Sequence, residues 1–209
     1  MAKVAKKKTS KKKAGSTRKG ARTAGARGGA LRADGAPVVG ILTGSPSDLP
    51  VVLKARDTLH ELGIPCDVRV LSAHRTPEQT VQYVSRAREH GIEVLIACAG
   101  MAAHLAGVVA AHTTLPVIGV PLASGALQGV DALLSTVQMP PGIPVATVGV
   151  DGSRNAAFLA ARILAATHPE VRERLDARLA TDRERYDAPD TAVPSQAVAT
   201  YEKASKKRR

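Results

Sequence analysis

The sequence predicts a three-layer α/β/α sandwich, in which helices cover both faces of a parallel sheet. From residue 38 onward, short runs rich in Val, Ile and Leu alternate with segments of helical pattern. The apolar runs are nearly continuous, which is typical of strands that are buried on both faces. Right-handed connections between such strands give a single flavodoxin-like or Rossmann-like domain.

Five strands are predicted by apolar runs of five or six residues, at 38–43, 66–71, 93–98, 116–120 and 145–150. Helices are predicted between and after them, at 48–63, 77–91, 102–113, 130–138, 154–167 and 169–186. Gly63 and Gly91 are placed to end the first two helices in the left-handed conformation. Thr76-Pro77-Glu78-Gln79 has the pattern of a capping box, in which the Thr76 hydroxyl accepts from the Gln79 amide.

The net charge of +12 is concentrated at the two ends of the chain. Residues 1–35 carry twelve Lys or Arg and one Asp, whereas residues 36–201 have a net charge of −3. We therefore expect a disordered basic tail at 1–36, a folded domain at 37–187 and a polar, basic tail at 188–209. The N-terminal tail would bind polyanions weakly and without sequence preference; alternatively it serves solubility only, or the start codon is misplaced.

Several protein classes are disfavoured by the sequence. The N-terminal region lacks the apolar core of a secretory signal, and no segment is apolar enough to span a bilayer, so we expect a cytoplasmic protein. Cys66 and Cys98 lie in or beside apolar runs and are interpreted as buried small residues rather than a disulfide. The His, Cys and carboxylate residues do not have the spacing of a zinc site.

Ligands of open parallel sheets bind beyond the carboxyl ends of the strands, so the loops after the first three strands are the expected site. The first loop, TGSPSD, leads directly into a helix. Its free amides and the hydroxyls of Ser45 and Ser47 suit a phosphate, and Asp48 suits ribose hydroxyls. An ordinary helix N-cap explains the same residues equally well.

The second loop, LSAHRTP, contains Ser72, His74 and Arg75. Arginine can bind a phosphate through two parallel hydrogen bonds, and histidine exchanges a proton near neutral pH. The third loop, CAGMAAHLAG, is rich in Gly and Ala and contains His104, which by itself is interpreted as a cap or packing residue. Together these loops indicate an enzyme that acts on a phosphorylated sugar or nucleotide with one histidine and without a metal.

The sequence resembles the 5-(carboxyamino)imidazole ribonucleotide mutase family, also called the phosphoribosylaminoimidazole carboxylase catalytic subunit, over roughly residues 37–180. Four segments carry the resemblance in the family's order and spacing: GSPSD, SAHRTP, AGMAAHLAGVVAAHTTLPVIGVP and SGALQGVDALLSTVQMPPGIPVATV. The resemblance implies a flavodoxin-like homo-octamer without metal or organic cofactor. It also implies that the enzyme moves a carboxyl group from N5 to C4 of a purine precursor, which an ATP-dependent carboxyaminoimidazole ribonucleotide synthase supplies.

The resemblance also implies roles for individual residues. His74 corresponds to the general acid and base, and Gly100 and His104 lie on the loop that shapes the pocket for the carboxylate or CO2. The substrate-binding residues that it implies are Ser45, Ser47, Asp48, Ser72, Ala73, Arg75, Gly100, Met101, His104 and Leu105.

A second class on the same fold carboxylates aminoimidazole ribonucleotide with free CO2, and it is the alternative function. That class tends to carry Lys where Arg75 stands and lacks the AAHL segment, so this sequence resembles the mutase class. It departs from the family at Pro46, often polar, at Met101, commonly Gly, and at Ala106, commonly Pro. If the backbone at Met101 requires a positive φ, the side chain costs about 1–2 kcal/mol.

Overall fold

The computed structural model describes Leu31, residues 35–184 and Tyr186. Five parallel strands form one sheet: β1 (Val39–Thr43), β2 (Cys66–Val70), β3 (Val94–Gly100), β4 (Val117–Leu122) and β5 (Ala146–Thr147). Their order in the sheet is β2-β1-β3-β4-β5, which is the flavodoxin-like order. The predicted fold class is therefore confirmed.

Six helices connect and follow the strands: α1 (Leu49–Glu61), α2 (Pro77–Arg86), α3 (Leu105–Ala111), α4 (Val130–Val137), α5 (Ser153–Leu164) and α6 (Pro169–Glu184). Each predicted helix is present and is shorter than predicted. Gly63 directly follows the C-cap of α1 with a φ of 64°, so its predicted role is confirmed. Gly91 is also left-handed, with a φ of 87°, but α2 ends at Arg86, so the prediction that Gly91 ends this helix is wrong. None of the helices in the described ranges has the length and apolar character needed to cross a bilayer.

Two apolar clusters lie on opposite faces of the sheet. The first contains Val39 and Ile41 of β1 and is covered by α1, α5 and α6. The second contains Leu42 of β1 and is covered by α2 and α3. Successive side chains of a strand point to opposite faces, so β1 contributes to both clusters and is buried along its whole length.

β5 is much shorter than the strand that was predicted at 145–150. Only Ala146 and Thr147 pair with β4, opposite Ile118 and Gly119. Beyond them the chain stays beside β4, since the Val148 amide donates to the Gly119 carbonyl over 3.1 Å and the Asp151 amide to the Pro121 carbonyl over 2.9 Å, but Asp151 adopts a φ of 56° and regular pairing ends. An apolar run predicts burial, but it does not show where the backbone leaves the extended conformation that regular strand pairing needs.

The tails predicted at 1–36 and 188–209 lie outside the described residues, except for Leu31, Gly35 and Ala36. Leu31 packs against the first cluster, and its amide donates to the carboxylate of Glu170 at the start of α6. Cys66 and Cys98 are both free thiols; Cys98 is buried, as predicted, whereas Cys66 is only half-buried.

Candidate active site

A cavity of about 280 Å³ lies at the carboxyl ends of the central strands. The parallel register places Thr43, the last residue of β1, opposite Val70, the last residue of β2, and opposite Cys98, two residues before the end of β3. Four loops therefore leave the sheet at one edge and line the cavity. All eleven residues predicted for the site line it: Ser45, Ser47, Asp48, Ser72, Ala73, His74, Arg75, Gly100, Met101, His104 and Leu105.

The first loop holds its carboxylate between two hydroxyl groups. The Thr43 hydroxyl donates to Asp48 Oδ2 over 3.2 Å, and the Ser47 hydroxyl donates to Asp48 Oδ1 over 3.2 Å. Ser45 caps the short 3₁₀ turn Pro46–Asp48, since its Oγ accepts from the Ser47 amide. Asp48 precedes α1 but makes no side-chain capping bond, so the N-cap alternative is wrong for Asp48 and correct for Ser45.

The second loop is closed by its own threonine. The Thr76 hydroxyl accepts from the Ser72 amide over 2.8 Å and donates to the Ser72 carbonyl over 3.2 Å. The predicted capping box is therefore wrong, because Thr76 makes no side-chain cap bond to α2. The Thr76 hydroxyl instead accepts from the Ser72 amide within the loop, so it does not accept from the amides of α2.

Arg75 joins the second loop to the first. Its Nη2 donates to the Gly44 carbonyl, and its backbone amide donates to Ser72 Oγ over 3.2 Å. The Arg75 side chain is exposed, whereas Ser72 is buried. A guanidinium group fixed across the cavity edge in this way keeps further N–H donors, which have the chemistry to bind an anion.

The third loop has little room for side chains. A methyl group at Gly100 would lie 2.6 Å from Ser124 Oγ and 3.3 Å from the Leu122 carbonyl oxygen, so only glycine fits without displacement. Met101 has a φ of 54°, as expected if this position requires the left-handed region, and its side chain is 61% exposed. Leu105 is buried beneath the loop at the start of α3.

Two histidines from different loops meet in the cavity. His74 Nε2 and His104 Nδ1 are 2.9 Å apart, and the two rings are nearly perpendicular, at 86°. One nitrogen must donate and the other accept, so the bond couples the tautomers of the two rings. The interpretation of His104 as a helix cap is wrong, because its side chain makes no capping bond and contacts His74 instead.

Two residues with hydroxyl groups were not predicted for this site, and neither were the small cavity-lining residues Gly44, Ala99 and Ala102. Ser124 lines the cavity from the loop after β4, and Thr43 supplies a hydroxyl to Asp48 from the end of β1. Ser124 follows the predicted strand 116–120, so a position after a strand was a usable signal, although Ser124 lies farther from its strand than Ser45 and Ser72 lie from theirs. Within the described part of the chain, no three His, Cys, Asp or Glu side chains are grouped to hold a metal ion.

Comparisons with known proteins show which family the folded part of the chain matches. The sequence profile of the AIR carboxylase family matches residues 38–185. An N5-carboxyaminoimidazole ribonucleotide mutase of Pyrococcus horikoshii is 58% identical over 139 residues, which are 66% of this chain and 78% of that protein. The mutases of Mycobacterium tuberculosis H37Rv and Bacillus subtilis 168 are 56% and 54% identical, covering 66% and 68% of this chain and 80% and 89% of theirs.

Among solved structures, the crystal structure of Treponema denticola PurE superposes with a TM-score of 0.68 at 29% sequence identity. The match covers 75% of this chain and 99% of that one. The matched parts of the chain include all four loops that line the cavity.

Proposed function

Because the chain belongs to the AIR carboxylase family, we propose that it acts as an N5-carboxyaminoimidazole ribonucleotide mutase in purine biosynthesis. The family's name alone fits both the mutase and the CO2-dependent carboxylase. The names of the relatives favour the mutase, since those at 58%, 56% and 54% identity all carry it. The structural observation that supports the proposal is the His74–His104 pair, which lines the same cavity as the Asp48 carboxylate and the Arg75 guanidinium group.

In the proposed reaction His74 moves one proton in each direction. Protonated His74 donates to N5 as the N5–CO2 bond breaks, which releases CO2 into the cavity. The electron-rich C4 then attacks CO2, and His74 removes the proton that C4 carried. The histidine ends as it began, so this mechanism uses no cofactor. The hydrogen bond between His74 Nε2 and His104 Nδ1 orients the His74 ring, and protonated His74 is the donor in it because both of its ring nitrogens then carry hydrogen.

Binding of the ribonucleotide is assigned to the first two loops. Ser45, Ser72 and Arg75 surround the phosphate, and Asp48 accepts hydrogen bonds from the ribose hydroxyls. Ser47 helps to orient the carboxylate of Asp48, because its hydroxyl donates a hydrogen bond to Asp48 Oδ1. Such fixed contacts keep N5 and C4 within reach of one imidazole.

The third loop is assigned to the carboxyl group. Gly100 and the small residues around it leave space for CO2, while Ala73, Met101 and Leu105 line this part of the cavity and help to exclude water. Retention of CO2 in this space is what separates a mutase from a carboxylase that takes CO2 from solution.

Two substitutions test the assignment. His74→Asn should abolish turnover and leave nucleotide binding within a few-fold, because general acid and base catalysis contributes about 10²–10⁴-fold. A variant that keeps more than about a tenth of the wild-type kcat would refute His74 as the proton carrier. Arg75→Ala should mainly raise KM, and an unchanged KM would remove Arg75 from the phosphate site.

An isotope experiment tests the reaction class. Substrate with a labelled carboxyl group is converted in unlabelled bicarbonate, and the label in the product is measured. A mutase keeps the label at C4. A carboxylase, the alternative, incorporates unlabelled CO2 instead.

We also propose that the chain assembles as a homo-octamer. Three of the exposed side chains of α4, Val130, Leu134 and Val137, recur at helical spacing and form an apolar stripe with exposures of 55%, 52% and 49%. Exposed apolar stripes of this kind favour subunit contacts. Light scattering of the wild type should give eight subunits, and Leu134→Glu should give smaller species; a monomeric wild type would refute the assembly.

The remaining assignments concern the enzyme's surroundings. We propose a cytoplasmic enzyme that receives its substrate from the ATP-dependent synthase. The basic N-terminal residues are assigned at most a weak, nonspecific affinity for polyanions. Deleting residues 1–30 should therefore leave mutase activity unchanged, and a large loss of activity would assign the tail to the catalytic function.

A further inference from the structure

We propose that Thr43 is a positioning residue that holds the Asp48 carboxylate in the orientation needed to bind ribose. The inference rests on the function proposed above, and it adds a residue that touches no substrate. Thr43 is the last residue of β1 and is fully buried. Its hydroxyl donates to Asp48 Oδ2 over 3.2 Å.

A hydroxyl at this position is not explained by packing. The other residues of β1 are Val39, Gly40, Ile41 and Leu42, and a buried valine would fill the same volume as threonine. Burying a hydroxyl costs free energy unless it is hydrogen-bonded. The partner it has is a carboxylate that lines the candidate active site.

The carboxylate of Asp48 does not cap α1, although Asp48 occupies the N-cap position of that helix. An aspartate that precedes a helix normally accepts from the first helical amides, and Asp48 makes no such bond to α1. Instead its Oδ2 accepts from Thr43 and its Oδ1 from Ser47. Two hydroxyl donors therefore fix the plane of the carboxylate at the edge of the cavity.

The two donors differ in rigidity. Ser47 is exposed and lies in the short turn, whereas Thr43 is buried in a strand that has hydrogen-bonded neighbours on both sides. A β-branched side chain also has restricted χ1, so the direction of the Thr43 hydroxyl is set by the sheet. The hydrogen bond from Thr43 therefore anchors the Asp48 carboxylate to the rigid core of the sheet, whereas the bond from the exposed Ser47 does not.

The backbone of Thr43 has a separate contact. Its carbonyl accepts from the Leu71 amide over 2.8 Å, which ties the second loop to β1. Replacing the side chain by valine keeps this bond and the shape of the residue. Thr43→Val therefore removes the hydroxyl donor alone, and Thr43→Ser restores it.

The test measures binding of the product, 4-carboxy-5-aminoimidazole ribonucleotide, by titration calorimetry, together with kcat and KM. Thr43→Val should weaken binding about tenfold and raise KM with a smaller effect on kcat, since the Asp48 carboxylate loses the donor that fixes its orientation. Thr43→Ser should bind within about twofold of wild type. Thr58→Val is the matched control, because Thr58 is buried and its hydroxyl donates to the Lys54 carbonyl, away from the cavity.

A double-mutant cycle with Asp48→Ala separates positioning from packing. If Thr43 acts through Asp48, Thr43→Val should have no further effect on binding in the Asp48→Ala background. An equal loss in both backgrounds, or wild-type binding by Thr43→Val, would overturn the inference and leave the proposed function standing. If Asp48→Ala itself binds as well as wild type, the ribose assignment fails, and the role of Thr43 fails with it.

Discussion

Replacing Gly100 by alanine tests whether the third loop must be free of side chains at the end of β3. Gly100 lines the cavity directly beside Ser124, which comes from the loop after β4. The added methyl group would lie 2.6 Å from Ser124 Oγ and 3.3 Å from the carbonyl oxygen of Leu122. The φ of Gly100 is not positive, so the backbone itself tolerates alanine.

The effect on activity should exceed the effect on stability. An ordinary contact begins near 3.4 Å, so Ser124 Oγ must move by about 0.8 Å, which is the difference between 3.4 and 2.6 Å. Rotation of a serine side chain achieves this at the lower end of the 1–3 kcal/mol typical of overpacking. At an active site, a misplacement of about 1 Å can cost about 100-fold in rate. We therefore expect kcat/KM to fall by about 10–100-fold while the unfolding free energy falls by about 1 kcal/mol.

Steady-state assays and thermal melts of Gly100→Ala, Ser124→Ala and the double variant measure both quantities. Alanine at 124 removes the hydroxyl and leaves only Cβ, 3.5 Å from the new methyl group. The double variant should therefore have a kcat/KM within a few-fold of Ser124→Ala alone. The reasoning is refuted if Gly100→Ala keeps more than half of the wild-type kcat/KM, or if removing the Ser124 hydroxyl gives no recovery.

Two further predictions concern stability. Gly119→Ala should lower the unfolding free energy by about 1–3 kcal/mol in denaturant titrations, because its methyl group would overlap the Thr136 side chain of α4; Gly149→Ala, with no neighbour within 4 Å, is the control and should show no such loss. Burial raises the pKa of the Cys66 thiol to about 11 and that of Cys98 to about 12, so the folded chain keeps protons that the unfolded chain releases above about pH 9. Stability should therefore fall as the pH rises from about 9 to about 12, and Cys98→Ala should reduce this slope; a slope that the substitution leaves unchanged would contradict the assignment.

The architecture could be predicted from the sequence, because a strand that is buried on both faces of a sheet appears as a nearly continuous apolar run. The runs that became β1, β3 and β4 are nearly free of polar residues, and all three strands are central in the sheet. The edge strands were harder to delimit. β2 includes Asp67 and Arg69, which pair with each other, and β5 pairs with β4 over two residues.

The site was predictable to the extent that its residues follow strand ends. Ser45, Ser72 and Gly100 lie just beyond or at the end of a predicted strand, and they share one cavity. Contacts between loops were not predictable, since they depend on how far apart separate strands lie. The bond of His74 to His104 spans 30 residues, and the capping box failed because the Ser72 amide competed for the Thr76 hydroxyl.

The bonds between loops also divide the site into two functional halves. Arg75 donates to the Gly44 carbonyl, and the Leu71 amide donates to Thr43, so the first two loops are joined into one frame around the assigned phosphate and ribose positions. His74 lies in the same loop as Arg75, but its side chain bonds across to His104 on the third loop. Removing the His74 imidazole therefore breaks a contact with the half assigned to the carboxyl group and leaves the binding frame intact. This is the structural reason to expect that His74→Asn affects turnover and that Arg75→Ala affects binding.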